Sequence, residues 1–373
     1  MKKVCIVTYY DSSNYGSRLQ STALSLALKD LNCDVYFLKS FKARKFTLMH
    51  PRMVYARLYN KLNRKKKEAF FHPVPYTISD ERRSRLDKYT KENYKVIDIR
   101  SDKQWNNICK EKYTFVAGSD IIWQPANGYP SFFFLDYAYF AGLDCLAYGS
   151  SLGAKKLPHK FYNAYRKYLR SYKAIGVRET KVKKYLSKII NKPVTKVVDP
   201  TLLITKDKWD KFADKARYSI SSYEDFVFCY FVMNDARYWD YVKKVEQATG
   251  LKIVVLPMHS LDEEQPYEII RDGTPYEFID LIKKAKFIVT DSFHTCVFSM
   301  IYEKEFYLLR RTRSDEDEKY NDLLKRYHLE DRRIENEESF IRNEIIDYSY
   351  ASEKIASDRN QSYEFLKEAI ASK

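Results

Sequence analysis

FIVTDSFHTCVFSMIYEKEFYLL, residues Phe287–Leu309, decides the fold class of this chain. Its apolar spacing predicts a strand at Phe287–Thr290, a helix at Phe293–Tyr302 and a second strand at Phe306–Leu309. Two strands that are joined by a helix lie parallel in one sheet, with the helix covering a face. The stretch therefore predicts an α/β protein.

The same alternation continues along the rest of the chain. Further strands are predicted at Lys3–Tyr9, Asp34–Leu38, Thr114–Ala117, Cys145–Tyr148, Ala174–Arg178, Thr195–Val198, Phe226–Met233 and Lys252–Pro257, with helices between most of them. This pattern predicts two Rossmann-like domains. A polar segment between Thr205 and Asp225 marks their boundary. We expect a first domain at 1–210, a second at 211–350, and a final helix at 351–373 that packs back on the first domain.

Composition and charge exclude several classes of protein. The 373 residues include 66 Lys+Arg and 50 Asp+Glu, which gives a net charge of +16, and 45% are hydrophobic, as in globular proteins. The longest apolar run, Phe226–Met233, is far shorter than the roughly 20 residues of a membrane-spanning helix. Six dispersed cysteines favour reduced thiols in a cytoplasmic protein. No metal-ligand spacing is present, so we expect no metal site.

The segment 39–67 interrupts the alternation, with eleven lysines and arginines and no acidic residue. Within it Val54, Leu58 and Leu62 recur every four residues beside Tyr55 and Tyr59, as on one face of a basic helix. A solvated insertion, a surface that lies on anionic lipid, and a nucleic-acid site are the three interpretations. We expect no nucleic-acid partner because no such motif accompanies the charge. The lipid interpretation predicts peripheral contact with the inner face of the cell membrane.

Two turns in the first half follow predicted strands, where ligands of parallel sheets bind. The first, at 11–17, opens a helix, but its single glycine does not make a dinucleotide motif. In the second, Gly118-Ser119-Asp120-x-x-Trp123, the carboxylate could orient an acceptor hydroxyl and the indole could stack on a sugar. Helix capping and core packing are the alternative roles for these residues.

Two later turns carry cations. Arg178 ends a strand and could hold a carboxylate or phosphate, or form a salt bridge with Glu179. In Thr290-Asp291-Ser292-Phe293-His294 a strand runs into a helix, so Asp291 or Ser292 caps the helix and His294 lies in its first turn. This histidine could act as a general acid or have a structural role. Arg310, Arg311 and Arg313 follow the next strand and could join it around an anion.

Five segments together resemble the polysaccharide pyruvyl transferase family in order, spacing and strand-end placement. They are Val4–Gln20 (VCIVTYYDSSNYGSRLQ), Phe115–Trp123 (FVAGSDIIW), Ile175–Glu179 (IGVRE), Val197–Leu203 (VVDPTLL) and Phe287–Met300 (FIVTDSFHTCVFSM). The resemblance extends from about residue 4 to about residue 310.

This resemblance implies a GT-B-like arrangement of the two Rossmann-like domains, with phosphoenolpyruvate as donor substrate and no cofactor. It implies as acceptor a sugar of a cell-surface polysaccharide or of its lipid-linked precursor. His294 matches the family's key histidine, Arg178 its motif arginine, and Arg310 and Arg311 a further donor-binding cation. Ser292 stands beside them on the donor side. The residues that match the family's loop motifs are Asn14, Tyr15, Gly16, Gln20, Gly118, Ser119, Asp120 and Trp123.

Ketal formation from phosphoenolpyruvate needs cations for the phosphate and carboxylate, an acid for the methylene carbon, and two positioned sugar hydroxyls. We expect Arg178 and Arg310 or Arg311 to hold the donor. We expect His294 to protonate the methylene or assist phosphate departure, and Asp120 to orient the acceptor. Two other hypotheses remain open: a GT-B glycosyltransferase that uses a nucleotide sugar, and a catalytically silent binding module at the membrane.

Overall fold

The computed structural model of this chain describes residues 1–51, 53–55, 58, 78–124, 132–153, 157, 159–217, 225–311, 317–334 and 345–371. Its first sheet is parallel, in the order β3-β2-β1-β4-β5-β6-β7. The strands are β1 (Lys2–Val7), β2 (Cys33–Phe41), β3 (Lys95–Ile99), β4 (Thr114–Ala117), β5 (Cys145–Ser150), β6 (Ala174–Val177) and β7 (Thr195–Lys196).

The second sheet is also parallel, in the order β10-β9-β8-β11-β12-β13. Its strands are β8 (Phe226–Tyr230), β9 (Lys252–Val255), β10 (Glu268–Ile269), β11 (Phe287–Thr290), β12 (Glu305–Leu309) and β13 (Arg333–Ile334). In each sheet the chain starts at a central strand and then extends to both sides. Such a reversal opens a crevice at the carboxyl ends of the central strands, where ligands bind.

Helices cover the sheets and connect their strands. They are α1 (Tyr15–Asp30), α2 (Arg44–Leu48), α3 (Asp80–Asn93), α4 (Asp102–Lys110), α5 (Asp136–Phe140), α6 (Tyr162–Arg170), α7 (Thr180–Ile190), α8 (Pro200–Leu203), α9 (Lys206–Ala213), α10 (Arg237–Thr249), α11 (Ser260–Glu263), α12 (Pro275–Lys284), α13 (Phe293–Ile301), α14 (Asp317–Arg326) and α15 (Ser349–Ala371). Three of them start at the crevice, each with a polar cap on its free N–H groups: Asn14 on α1, Asp199 on α8 and Ser292 on α13.

The predicted α/β architecture is confirmed, since strands alternate with helices in two parallel sheets. The prediction missed α3, β3 and α4. Helix α3 buries only Arg82, Leu86 and Tyr89, which is too few apolar residues to produce a clear helical period.

The segment 39–67 begins differently from the prediction. Strand β2 extends to Phe41, so the first three residues of the segment are part of the sheet, and α2 follows. The hydrogen bonds of β2 with β3 continue to Phe41, which explains the extension. Of the predicted basic helix face, Val54, Tyr55 and Leu58 are described, whereas Tyr59 and Leu62 lie outside the described residues. No helix that the structure describes is long and apolar enough to span a membrane.

A continuous apolar core joins the two sheet units. Helix α9 crosses the predicted boundary at residue 210, and its Trp209 is fully buried with its ring 4.9 Å from that of Phe298 in α13. Helix α9 is mostly polar in sequence, yet its two aromatic residues, Trp209 and Phe212, pack inward. The limits of the domains themselves stay a prediction.

Buried polar contacts hold the two units in register. From α3, Arg85 forms ion pairs of 2.6 Å with both Asp272 and Glu277 of the second unit. From α1, the Tyr15 hydroxyl donates to the carbonyl of Gly273 at 2.7 Å. Because these contacts are shielded from water, they fix the relative position of the two crevices more firmly than surface pairs would.

The final helix, α15, contacts both units. The backbone N–H of Val198 donates to Ser362 Oγ at 3.0 Å, and Arg359 Nε donates to the carbonyl of Leu202 at 2.7 Å. In the second unit, Arg326 Nη2 donates to Asp358 Oδ1 at 2.6 Å. The helix therefore closes one side of the space between the sheets, next to β7 and α14.

Candidate active site

The carboxyl ends of β4, β6, β7 and β11 bring together four of the predicted or quoted motifs. Asp199, at the start of α8, is their common contact. Its Oδ2 accepts a hydrogen bond from Arg178 Nη1 at 2.7 Å and lies 3.6 Å from His294 Nε2. Asp199 is 4% exposed, so these charges interact without the screening of bulk water. Arg178 and His294, 116 residues apart in the chain, thus meet on one carboxylate.

Asp199 is held firmly on its other side. Its Oδ1 accepts from the backbone N–H of Thr201 at 3.0 Å and from the Thr201 hydroxyl at 2.7 Å. The charges of His294 and Arg178, with the hydrogen bond from Thr201, hold the pKa of this carboxyl well below its usual range although burial opposes ionisation. Asp199 is therefore an ionised group that the sequence prediction left out. Its signal was the Asp-Pro pair in VVDPTLL, which is typical of a helix cap followed by proline.

Arg178 is buried, with a free donor. Nη1 is bonded to Asp199, whereas Nε has no hydrogen-bond partner among the described residues. Its guanidinium lies 5.1 Å from the ring centre of Phe293, which limits its orientation. Burial lowers the pKa of Arg178, and the neighbouring carboxylates of Asp199, Glu179 and Asp120 raise it by more, so the group remains a cation.

His294 lies in the first turn of α13, as predicted from the strand-to-helix run. Ser292 caps this helix: its Oγ accepts from the backbone N–H of Thr295 at 3.3 Å. The imidazole packs against the first turn of α1, because a Cβ added to Gly16 would lie 2.2 Å from His294 Nδ1. Only glycine leaves room for the ring at this position.

Asp120 adopts an unusual backbone angle at the end of β4. Its φ is +83°, a region that side chains other than Asn and Asp rarely enter. Its Oδ2 accepts from the hydroxyl of Ser17 at 2.8 Å. The turn is tight, since a Cβ on Gly118 would come 2.9 Å from the side chain of Thr8. This strained turn places a carboxylate beside the first turn of α1, near His294.

The other predicted loop residues fall into two groups. Asn14 caps α1, and Ser119 Oγ lies 3.5 Å from Asp199 Oδ2, so both line the crevice region. Tyr15, Gln20 and Trp123 are fully buried. The Trp123 indole donates to the carbonyl of Phe133, and it is therefore enclosed by protein and does not face an acceptor.

The two described arginines after β12 differ in burial. Arg311 is buried and its Nε donates to the carbonyl of Asp291 at 3.0 Å, while its guanidinium lies 5.5 Å from the ring of Tyr320. Arg310 is exposed. Arg313 lies outside the described residues. Arg178 and His294 thus meet on Asp199, whereas Arg311 contacts Asp291, the residue before the cap of α13. The convergence of Arg310, Arg311 and Arg313 with His294 stays a prediction.

A cavity that is open to solvent extends from this cluster between the two units and α15. Its inner wall includes Arg178, Asp199, Glu179 and Phe293, and its outer part includes Lys196 and Lys319. Glu179 is buried: its Oε1 accepts from Ser151 Oγ at 2.6 Å, and its Oε2 has no hydrogen-bond partner within the described part of the chain. Unsatisfied buried polar atoms of this kind are typical of sites that a ligand completes.

No group of three or more His, Cys, Asp or Glu side chains suited to a metal ion occurs among the residues described. The buried cysteines carry raised pKa values because burial disfavours the thiolate, for example at Cys296. The side chains that meet at this site are an arginine, a histidine and carboxylates.

Two parallel Rossmann-like sheets that share one apolar core have the arrangement of the GT-B fold. Solved structures agree. A putative UDP-N-acetylglucosamine 2-epimerase from Listeria monocytogenes is 10% identical, covers 99% of this chain and 91% of its own, and has a TM-score of 0.52. Another UDP-N-acetylglucosamine 2-epimerase is 13% identical, covers 99% and 95%, and has a TM-score of 0.51. At such identities the likeness concerns the fold alone.

The family follows from the sequence itself. A family model described as polysaccharide pyruvyl transferase matches residues 14–313, and the chain belongs to this family. The match includes every predicted site residue and confirms the resemblance that the five segments showed. No curated protein sequence matches the chain.

Proposed function

We propose that this chain transfers the pyruvyl group of phosphoenolpyruvate to a pair of hydroxyls on a sugar of a cell-surface polysaccharide, or of its lipid-linked precursor, and forms a pyruvate ketal. Membership of the family supports transfer in polysaccharide synthesis. The observation that carries the proposal is the buried cluster of Arg178, Asp199 and His294, in which a cation and an imidazole meet on one carboxylate and the cation lines a cavity between the two units.

The donor carries a carboxylate and a phosphate, and the site supplies groups for both. Arg178 Nε is buried without a hydrogen-bond partner in the described chain, and the guanidinium lies over the ring of Phe293, so this donor is suited to an anionic oxygen. Lys319 lines the outer part of the same cavity. Ser292 and Arg311 stand at the amino end of α13, where backbone N–H groups favour negative charge. These groups, with the exposed Arg310, form the proposed donor side.

The reaction then needs proton transfer at defined atoms. His294 gives a proton to the methylene carbon of phosphoenolpyruvate, and the enol π electrons form the new C–H bond. The first sugar hydroxyl adds to the resulting cationic C2 and loses its proton, which restores His294. The C2–O bond to phosphate then breaks, the second hydroxyl adds, and its proton leaves with the phosphate. Stabilisation of the two cationic C2 centres by the surrounding carboxylates is the electrostatic contribution of the site.

Asp120 is placed to orient the acceptor. The carboxylate of Asp120 accepts a hydrogen bond from the Ser17 hydroxyl at 2.8 Å. Asp120 therefore lies beside the first turn of α1, which packs on His294 through Gly16. We expect Asp120→Asn to raise KM for the acceptor and to lower kcat, because one accepting oxygen becomes a donor. Binding of phosphoenolpyruvate measured by calorimetry should be unchanged. Weaker donor binding in this variant would place Asp120 on the donor side instead.

Calorimetry with phosphoenolpyruvate and a panel of nucleotide sugars tests the donor class. We expect binding of phosphoenolpyruvate only, weakened about tenfold or more in Arg178→Ala because a charge-assisted contact is lost. Arg100→Ala is the matched control, since Arg100 is an exposed arginine paired with Asp98 far from the cavity. Binding of a nucleotide sugar in place of phosphoenolpyruvate would contradict the proposal and favour the glycosyltransferase hypothesis.

His294→Ala distinguishes chemistry from binding. We expect a loss of turnover of about 10²-fold or more with phosphoenolpyruvate affinity largely kept, since general acid catalysis contributes on this scale. If the variant turned over at the wild-type rate, His294 would have no catalytic role. If the chain were a catalytically silent binding module, the wild-type protein itself would show no turnover with any tested acceptor.

Contact with an anionic membrane surface is part of the proposal, through residues 39–67. Leu48 and Met49 are 71% and 75% exposed, Tyr55 and Leu58 are also exposed, and the exposed cations Lys42, Arg44 and Lys45 lie near them in the chain. Apolar side chains beside cations suit the boundary between headgroups and acyl chains. Such contact would place the protein at the inner face of the cell membrane, where a lipid-linked acceptor is held.

Liposome sedimentation tests this surface. We expect binding to vesicles that contain acidic lipid and weaker binding to neutral vesicles. Replacing Leu48 and Met49 by serine should reduce the binding, whereas Ile345→Ser, at an exposed apolar residue of the second unit, should not. Equal weak binding of all proteins to both kinds of vesicle would leave 39–67 as a solvated insertion.

A further inference from the structure

We propose that Asp199 is a positioning residue that orients Arg178 for the donor and fixes which ring nitrogen of His294 carries the transferable proton. The inference rests on the proposed function, because it assigns roles within that site. Asp199 belongs to neither the histidine nor the arginine motif, and the crevice brings it to both of them.

The geometry separates the two nitrogens of His294. Nε2 is buried, makes no hydrogen bond within 3.5 Å to the described residues, and has Asp199 Oδ2 at 3.6 Å. Nδ1 lies on the opposite side of the ring, over Gly16 in the first turn of α1. An ionised carboxylate next to Nε2 favours a hydrogen on that nitrogen. Nδ1 is then the nitrogen that exchanges a proton with the substrate.

Asp199 also couples the imidazole to the donor-binding cation. The same Oδ2 accepts from Arg178 Nη1 at 2.7 Å, so a shift of this oxygen moves both groups. The bonds to Thr201 prevent such a shift by holding Oδ1. The arrangement resembles that of a carboxylate that orients a catalytic histidine. Here the same carboxylate also orients an arginine.

The two oxygens of Asp199 make Asp199→Asn diagnostic. The backbone N–H of Thr201 needs an acceptor, so the amide oxygen takes the place of Oδ1. The amide NH₂ then takes the place of Oδ2. There it faces Arg178 Nη1, which is also a donor, so no hydrogen bond forms between them. The same NH₂ can donate to His294 Nε2. The substitution keeps the volume, replaces the acceptor that faces His294 Nε2 by a donor, and removes the acceptor of the arginine.

Nitrogen NMR on protein with ¹⁵N-labelled histidine rings measures this directly. The chain has six histidines, and the signals of His294 are those that disappear in His294→Ala. In the wild type we expect Nε2 to carry a hydrogen at neutral pH. In Asp199→Asn we expect Nε2 to be the bare nitrogen and Nδ1 to carry the hydrogen. A bare Nε2 in the wild type overturns the proposal even if the variant fails to fold.

Kinetics with phosphoenolpyruvate provide the second measurement. Asp199→Asn should raise KM for the donor, through Arg178, and lower kcat by about 10²-fold, through His294. The control is Asp98→Asn, since Asp98 lies on the edge strand β3, away from the cavity, and pairs with Arg100 at 2.7 Å. Its tautomer pattern and kcat should match the wild type. An unchanged tautomer of His294 in Asp199→Asn would refute the assignment, whereas absent wild-type turnover with a reversed tautomer would refute only the proposed function.

Discussion

Gly16→Ala tests whether the close packing of α1 on His294 sets the geometry of the site. A Cβ at this position would lie 2.2, 2.6 and 2.8 Å from Nδ1, Cγ and Cβ of His294. Ordinary contact of a Cβ begins at about 3.4 Å, so the ring or the helix has to move by 3.4 − 2.2 = 1.2 Å. The residue is in a helix, where alanine is favoured over glycine, so the backbone itself does not oppose the change.

The size of the effect follows from these distances. Misplacement of a catalytic group by about 1 Å costs roughly 10²-fold in rate, and we expect kcat to fall by that factor. Overpacking costs about 1–3 kcal/mol, and the helix preference for alanine offsets up to about 1 kcal/mol of it. The free energy of unfolding should therefore fall by no more than about 3 kcal/mol.

The assay is turnover with phosphoenolpyruvate together with urea unfolding, each compared with Gly250→Ala. Gly250 ends α10 with φ +66° and has no atom near its missing Cβ, so alanine there lowers stability without approaching the site. We expect Gly250→Ala to keep wild-type turnover. If Gly16→Ala also kept it, the packing of α1 on His294 would not determine the position of the imidazole.

Three further predictions concern stability. Arg85→Ala should lower the free energy of unfolding by about 3 kcal/mol, because it leaves Glu277 buried and unpaired; a loss below 1 kcal/mol in urea titration would mean that Arg85 does not hold the units together. Trp209→Ala should cost about 3–5 kcal/mol by the same measurement, since it opens a cavity between α9 and α13; an unchanged midpoint would refute the shared core. Burial raises the pKa of Asp262 to about 6 from 3.8. Between these two pH values the folded chain holds a proton that the unfolded chain has released. The free energy of unfolding should therefore fall as pH rises from about 4 to about 6. Asp262→Asn should flatten this part of the stability curve, and an identical curve in the variant would contradict the assignment.

Much of the fold could be predicted because it depends on short-range pattern. The run Phe287–Leu309 contains strand, helix and strand with the bounds that the structure shows to within a residue, since apolar period and chain stiffness act over a few positions. The same local chemistry predicted that His294 lies in the first turn of a helix. It failed for α3, whose buried face is made of one arginine, one leucine and one tyrosine.

For the candidate site, too, local features could be predicted from the sequence and contacts between remote segments could not. The sequence by itself placed Arg178, Asp120 and His294 at strand ends, because a turn after an apolar run is a local feature. It could not show that Asp199 joins Arg178 to His294, that Gly16 lies against the imidazole, or that Arg311 is bound to Asp291. Nor could it separate a sugar-facing Trp123 from the buried one that the structure contains.

The physical reason is that local pattern fixes which face a side chain occupies, whereas distances between remote segments depend on how whole units pack. His294 comes within 3.6 Å of Asp199 only because the aromatic core and the ion pairs of Arg85 set the second sheet against the first. Composition and motifs thus determined the kind of protein and the family. The tertiary structure decided which of its charged groups act on one another.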